Sequence, residues 1–240
     1  MTFKDKTAIV TGASSGIGRA MALALAQLGC RVVVAARSQD DLEELSREIG
    51  DNALAVPTDV SNRMAVDHLI ETTVQHFGAI DIVFANAGVF SQTAFIDVEE
   101  HAIDSMIDVN IRGVMHVVHS ALPHMRAREN SDILIVSSIA GVTELPLQAV
   151  YSPTKHALQS FAHILRRQVR NDGIRVGLIN PGTVATPLWG DRSEEEIQAQ
   201  IDQHETLRSE DVVETAMFML SRPPHVAIRD VVILPQGQDI

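Results

Sequence analysis

At 240 residues the chain has a size that a single α/β core can fill, and its 45% hydrophobic content suffices to bury a wide sheet between helices. Only 4% of residues are aromatic, so that core has to be built from Val, Ile, Leu and Ala. A net charge of −12 argues against nucleic acid or an anionic membrane as a general partner, since both reward a basic surface.

Short apolar runs alternate with helical patterns along the chain. The N-terminal MTFKDKTAIVTG lacks the long apolar stretch of a signal peptide, and no window offers the roughly 20 apolar residues that span a bilayer. The first strand is expected at Thr7–Val10, followed by a glycine-rich turn and a helix over 17–28. The one cysteine, Cys30, has no internal disulfide partner, as expected for a cytoplasmic protein, and reads as a small packing residue. Strands are expected at Arg31–Ala35, Ala53–Val56 and Ile82–Ala85, with helices over 40–49 and 62–77 between them. Ser61 is placed to cap the second of these and Gly78 to end it. A long helix over 99–126 leads to strand Ile133–Val136, and a helix over 152–171 closes at Asn171-Asp172-Gly173. Strands Arg175–Ile179 and Val231–Leu234 enclose a polar stretch, 186–208, and a helix over 209–220. Most of these runs are continuously apolar, as parallel strands buried on both faces should be. The expected fold is one domain over 1–240, a doubly wound parallel sheet of about seven strands with helices on both faces. The 186–208 stretch reads either as a solvated loop with a helix or as a lid over the site.

The turn after the first strand is Thr11-Gly12-Ala13-Ser14-Ser15-Gly16-Ile17-Gly18. Glycines there let the backbone approach a diphosphate closely, and the following helix offers free N–H groups and a positive dipole end. In a strand–turn–helix context that opens a βαβ unit, this pattern marks a dinucleotide site. The second strand ends in Ala36-Arg37-Ser38, where a carboxylate would select the 2′-hydroxyl of NAD. A guanidinium can instead grip a 2′-phosphate, so the expectation is NADP(H) in preference to NAD(H). Alternatively, Arg37 only stacks on adenine and both dinucleotides are accepted. Ser15 leaves the turn without a second cation.

Tyr151, the only tyrosine, stands four residues before Lys155 at the start of a helical stretch. Side chains so spaced share a helix face. A phenol ordinarily titrates near pH ~10, and a neighbouring ammonium should lower that value and admit proton transfer at neutral pH. Ser138 follows the fifth strand, where the carboxyl ends of an open α/β sheet gather ligands. Asn110 lies inside the long helix, where a buried amide needs a partner.

Together these segments resemble the short-chain dehydrogenase/reductase family, whose glycine turn has this G-x-x-x-G-x-G spacing, over essentially the whole chain. The resemblance implies a Rossmann-type cofactor region over about 1–140 and a catalytic and substrate region over about 105–240. It also implies a catalytic tetrad. Tyr151 would exchange a proton with the carbinol or carbonyl oxygen and Ser138 would orient that oxygen. Lys155 would hold the nicotinamide ribose and acidify the phenol, and Asn110 would position a water linking Lys155 to solvent. The implied cofactor set is Gly12, Ser14, Ser15, Gly16, Ile17, Gly18, Arg37, Asp59, Val60, Asn86, Ala87, Gly88, Tyr151, Lys155, Pro181, Gly182, Val184 and Thr186. Asp59-Val60 would meet adenine and Thr186 the nicotinamide carboxamide. Ala85 stands where many relatives carry another Asn.

Four segments, Phe84–Gly88, Arg166–Val169, Gly173–Gly177 and Ile228–Pro235, resemble the ribitol 2-dehydrogenase branch, which oxidises a polyol to a ketose, typically with NAD. Arg37 departs from that preference. Thr143, Glu144 and Gln148 could hydrogen-bond a hydroxylated substrate, although Glu144 could equally face water. Val89, Phe90, Leu145, Leu147, Leu188 and Trp189 would instead make the pocket apolar, which suits a less polar ketone or aldehyde. His116 and His119 share a helix face, but no third ligand accompanies them and no metal is expected. By the same resemblance, the 99–126 and 152–171 helices would pack a homodimer or homotetramer. The expected activity is a small-molecule alcohol/carbonyl oxidoreductase. A 3-oxoacyl thioester reductase and a non-catalytic cofactor sensor are the alternatives; a sensor would usually have lost the tyrosine or the lysine.

Overall fold

Each buried strand places its residues alternately on two faces, because side chains of an extended chain point to opposite sides. In the strand Arg31–Ala36, Val32 and Val34 join one apolar cluster while Val33 and Ala35 join another. The same division separates Ile82 and Phe84 from Val83 and Ala85, and Leu134 and Val136 from Ile133 and Ile135. Continuous apolar runs are therefore what a sheet covered on both sides requires.

The computed structural model describes residues 3–126, 128, 130–190 and 193–240. Its seven strands are β1 (Thr7–Thr11), β2 (Arg31–Ala36), β3 (Ala53–Pro57), β4 (Ile82–Ala85), β5 (Ser131–Val136), β6 (Ile174–Pro181) and β7 (Asp230–Ile233). They form one parallel sheet in the order β3-β2-β1-β4-β5-β6-β7. Helices α1 (Gly16–Gln27), α2 (Gln39–Ile49) and α8 (Ser209–Leu220) bury Met21, Leu25, Leu42, Leu45, Val212 and Ala216 on one face. On the other face lie α3 (Arg63–Phe77), α5 (Val114–Met125) and α6 (Tyr151–Val169), contributing Leu69, Val117, Leu158 and Leu165. The strand order reverses between β1 and β4, and that switch point is where an open α/β sheet leaves a crevice at its carboxyl edge.

Two local expectations change. The 99–126 helix is interrupted: α4 (Glu100–Ile107) passes through a π-helical segment, Asp108–Gly113, before α5 begins. A Cβ on Gly113 would stand 2.6 Å from Val60 Cγ2, so this segment approaches the end of β3 too closely for a side chain. Asn62, not Ser61, caps α3, its Oδ1 accepting from the N–H groups of Met64 and Ala65 at 3.0 and 3.3 Å. Ser61 is held by Asp59, which accepts from its N–H and its hydroxyl. Gly78 ends α3 as expected, in the left-handed conformation. The polar stretch contains α7 (Glu194–Asp202), opened by a capping box at Ser193 and burying none of its own residues. It is anchored at its far end by Leu207, which bridges to Val184 beside β6. Among the described residues no helix is long and apolar enough to cross a membrane.

Candidate active site

The crevice at the switch point is a cleft of about 650 Å³. One end is formed by the glycine turn between β1 and α1. Gly12 and Gly16 take positive φ values of 65° and 52°. A Cβ on Gly12 would lie 2.9 Å from the Ala87 Cα, and one on Gly18 would lie 2.1 Å from the Gly12 carbonyl oxygen. No other residue type fits at these points without moving backbone. Ser15 makes no capping hydrogen bond with its side chain, so the first turn of α1 keeps N–H groups available to an anion.

This turn is clasped to the neighbouring strand. The Thr11 hydroxyl accepts from the N–H groups of Asn86 and Ala87 at 3.0 and 3.1 Å. Asn86 Nδ2 in turn donates to the carbonyls of Thr11 and Gly12 at 3.1 and 3.3 Å. Sequence reasoning missed Thr11; its only signal was a hydroxyl residue ending an otherwise apolar run.

Every residue of the expected cofactor set lines the cleft except Gly18, which packs under it. Arg37 is exposed at the tip of β2 and, among the described residues, makes no ion pair. Asp59 and Val60 border the cleft beyond β3. At the opposite end are Pro181, Gly182, Val184 and Thr186. Gln238 also lines this end, accepting from the Thr183 N–H at 3.0 Å, and nothing in its local sequence pointed there. The cradle of absent side chains and free amides fits a dinucleotide diphosphate, and the cleft runs on past Tyr151 as a nicotinamide half would need.

Tyr151 is the first residue of α6 and only 7% exposed. Phe90 meets its ring edge to face, with centroids 4.8 Å apart. The Ser138 oxygen accepts from the Ala140 N–H at 3.1 Å, which fixes the serine at the end of β5 beside the cleft that Tyr151 lines. Lys155, one helical turn on from Tyr151, is buried with Nζ 5.5 Å from the centre of the phenol ring, donating to the Val136 carbonyl at 3.3 Å. Gly141 makes this packing possible, because a Cβ there would stand 2.7 Å from the Lys155 carbonyl oxygen. Behind the lysine runs a buried relay unforeseen from the sequence. Gln159 donates to Ser137 and Asn180, and Ser137 donates to the Lys155 carbonyl.

Burial governs the titration of both groups. It pushes the Tyr151 phenol up to about 12, against the pull of the Ser138 hydrogen bond, and it brings the Lys155 ammonium down to about 8. The expected acidification by Lys155 has no part in this balance, the ammonium being turned toward the Val136 carbonyl. At pH 7 the phenol is protonated and placed to donate.

Asn110 does not line the cleft. Fully buried in the π-helical segment, it accepts from the Val89 N–H and donates to the Val89 carbonyl and the Thr154 hydroxyl. Both amide hydrogens are thereby used to hold the exit of β4 against α6. Of the polar substrate-side candidates, only Gln148 lines the cleft. Glu144 faces water, its carboxylate 3.9 Å from His156. Thr143 is half-buried outside the lining. The apolar wall includes Val89, Leu145 and Leu188, with Phe90 packed behind Tyr151. Leu147 belongs elsewhere: it is 54% exposed, with φ of 63°. A left-handed backbone costs a residue with a Cβ about 1–2 kcal/mol. The Trp189 side chain lies outside the described residues, as do residues 191 and 192 of the polar stretch.

His116 and His119 turn to different neighbours, the Val60 carbonyl and Arg63. The described residues hold no group of three or more side chains suited to a metal. Cys30 is buried, its thiol donating to the Lys6 carbonyl and pushed up to about 12 by burial, so it packs rather than reacts.

The profile of the short chain dehydrogenases matches residues 6–197. The chain belongs to that family. An uncharacterized oxidoreductase of Staphylococcus epidermidis is 32% identical over 232 residues, covering 97% of this chain and 98% of the relative. One from Staphylococcus saprophyticus is 35% identical over 236 residues, with the same coverage. Among solved structures, a 3-ketoacyl-(acyl-carrier-protein) reductase from Brucella melitensis complexed with NADH superposes with a TM-score of 0.89 at 30% identity, covering 98% of both chains. An alcohol dehydrogenase from Thermococcus sibiricus complexed with 5-hydroxy-NADP does so with a TM-score of 0.88 at 26% identity and equal coverage. This short-chain dehydrogenase is thus an oxidoreductase that uses a nicotinamide cofactor.

Proposed function

We propose that this short-chain dehydrogenase interconverts a secondary alcohol and its ketone or aldehyde with NADP(H) in preference to NAD(H), and that Tyr151 is the acid/base. The observation that carries this reading is the meeting of Tyr151, Ser138 and Lys155 in one cleft with an uncapped glycine turn. The bound nicotinamide supplies or takes the hydride. In reduction, the protonated phenol gives its proton to the carbonyl oxygen, and the Ser138 hydroxyl orients the same oxygen as charge develops on it. Lys155 holds the nicotinamide ribose. Asn110 is a positioning residue that keeps Val89 and Thr154 in register with the phenol.

The dinucleotide preference rests on Arg37, a guanidinium at the adenosine end of the cleft with no ion pair among the described residues. The segment 186–208 serves as a lid, hinged where Leu207 pairs beside Val184. The exposed faces of α5 and α6 are the surfaces through which a dimer or tetramer would form. Resemblance to the ribitol dehydrogenase branch favours a polyol or its ketose. A second reading, a 3-oxoacyl thioester reductase, is favoured by the Brucella neighbour and by the apolar wall of Val89 and Leu145.

The test is Tyr151→Phe. NADPH binding, followed by nucleotide fluorescence, should stay close to that of the wild type. Turnover monitored by nicotinamide absorbance should fall by about 10²–10⁴-fold, the range for losing a positioned acid. Equal turnover in the two proteins would remove Tyr151 from the chemistry. Running acetoacetyl-CoA beside a panel of polyols and simple ketones separates the two substrate readings.

A further inference from the structure

The chain leaves β6 through a turn whose Pro181, Gly182, Thr183, Val184 and Thr186 line the end of the cleft away from the glycine turn. Its peptide groups are held in succession by different parts of the molecule. The Gly182 N–H donates to the Ile233 carbonyl of β7 at 2.8 Å. The Thr183 carbonyl accepts from the Leu207 N–H at 2.9 Å, and the Ala185 N–H donates to the Leu207 carbonyl at 2.9 Å. Between these two supports β7 has ended, and a side chain takes over: Gln238 Oε1 accepts from the Thr183 N–H at 3.0 Å. Room for that oxygen exists because residue 182 is glycine, since a Cβ there would stand 2.0 Å from it. The segment that carries Gln238 is itself fixed. The Gly237 N–H donates to the His204 carbonyl at 2.8 Å, and the Gln238 N–H donates to the Pro235 carbonyl at 3.1 Å. Two consecutive peptide planes are therefore set at Thr183, one by Gln238 and the next by Leu207. A trans peptide directs its N–H opposite to its carbonyl, so the Val184 N–H points away from Leu207. Among the described residues that N–H has no partner, although Val184 is only 4% exposed. Buried N–H groups are paired almost without exception, so this donor at the cleft wall calls for an acceptor on a ligand.

We infer that Gln238 is a positioning residue for the nicotinamide: its side-chain oxygen holds the peptide between Gly182 and Thr183, and with it the Val184 N–H that an acceptor on the bound cofactor would meet. The inference rests on the dinucleotide reading of the cleft and adds to it a residue remote in sequence from the glycine turn and from Tyr151. A nicotinamide carries a carboxamide oxygen, an acceptor of the kind that the Val184 N–H lacks. Gln238 acts through the turn and not on the reacting atoms. Without its oxygen the Thr183 N–H loses its partner, and the peptide that precedes Val184 is free to turn. Hydride transfer needs the reacting atoms closely aligned, so a small displacement of this wall shows in turnover.

The test pairs Gln238→Leu, which removes the acceptor, with Gln238→Glu, which keeps an accepting oxygen. Each protein is titrated by calorimetry with NADPH and with 2′-phospho-ADP-ribose, the same nucleotide without its nicotinamide. Gln238→Leu should weaken NADPH by about fivefold or more and leave 2′-phospho-ADP-ribose within about twofold, while Gln238→Glu binds both nearly as the wild type does. Turnover of Gln238→Leu should fall by about tenfold with the KM for the carbonyl substrate unchanged. Equal weakening of both nucleotides would reduce Gln238 to a packing residue, and a Gln238→Glu as impaired as Gln238→Leu would remove the hydrogen bond to Thr183 from the explanation. Hydrogen exchange gives an arm that needs no variant and stands even if Gln238→Leu fails to fold. In nucleotide-free wild type the Thr183 amide should already be protected, and exchange at the rate of an open loop would overturn the inference. A wild type that binds neither NADPH nor NADH would instead sink the dinucleotide reading and this one with it.

Discussion

The two ends of the cleft are built differently. The dinucleotide end is made of backbone: a turn whose glycines exclude side chains, a helix start without a cap, and the clasp between Thr11 and Asn86. The substrate end is made of side chains carried by loops, including Gln148 beside a strained Leu147, Leu145, and Gln238 from far along the chain. Backbone geometry leaves a mark in sequence, because few residues tolerate it. Side chains converging from distant loops leave almost none. The first end therefore identifies a shared cofactor, and the second is where one member of the family becomes distinct from another.

Three substitutions sharpen the contrast. Gly18→Ala should have the largest effect, because the new methyl group meets the Gly12 carbonyl and the turn has to move. Overpacking against backbone costs about 1–3 kcal/mol, so NADPH affinity should fall by tenfold or more, read by fluorescence titration. Unchanged affinity would mean that the turn does not hold the diphosphate. Arg37→Asp comes next and concerns only the adenosine tip. It should move the ratio of kcat/KM for NADPH over NADH by at least about tenfold toward NADH, since a carboxylate repels a 2′-phosphate and accepts from a 2′-hydroxyl. A ratio that stays put would leave Arg37 as a stacking residue. Asn62→Ala is the smallest, removing the cap of α3 away from the cleft. It should lower unfolding stability by about 1 kcal/mol, measured by denaturant titration, with kcat/KM unaltered. A matching loss of activity would show that the two ends are not insulated from the rest of the fold.

The sheet was legible because buried parallel strands announce themselves as short runs of Val, Ile and Ala; all seven lie on those runs, β4 with the expected bounds, β1, β2 and β3 one residue longer, β5 two and β6 three, and β7 starting and ending one residue earlier. The long helix was misread at Asp108–Gly113 because a π-helical turn keeps the apolar periodicity of its neighbours almost intact. Asn62 and Ser61 are both good caps by residue type, and only the competing bond from Asp59 decides between them. Tyr151, Ser138 and Lys155 converge as their spacing and strand-end positions imply. The direction of their titration was not readable, because burial is a property of the packed fold rather than of a four-residue interval. Leu147 was assigned to the pocket on hydrophobicity alone, and its positive φ turned it outward.

The clasp between Thr11 and Asn86 has a further consequence for how the nucleotide arrives. Four hydrogen bonds donated by Asn86 and Ala87 hold the start of the glycine turn, at Thr11 and Gly12, whether or not an anion is near. The entropy of ordering that turn then falls on the folding of the chain and not on each encounter with a nucleotide. A receptor prepared in this way can capture its guest and let it go again without rearranging, and an enzyme that must exchange one spent carrier for a fresh one in every cycle depends on that.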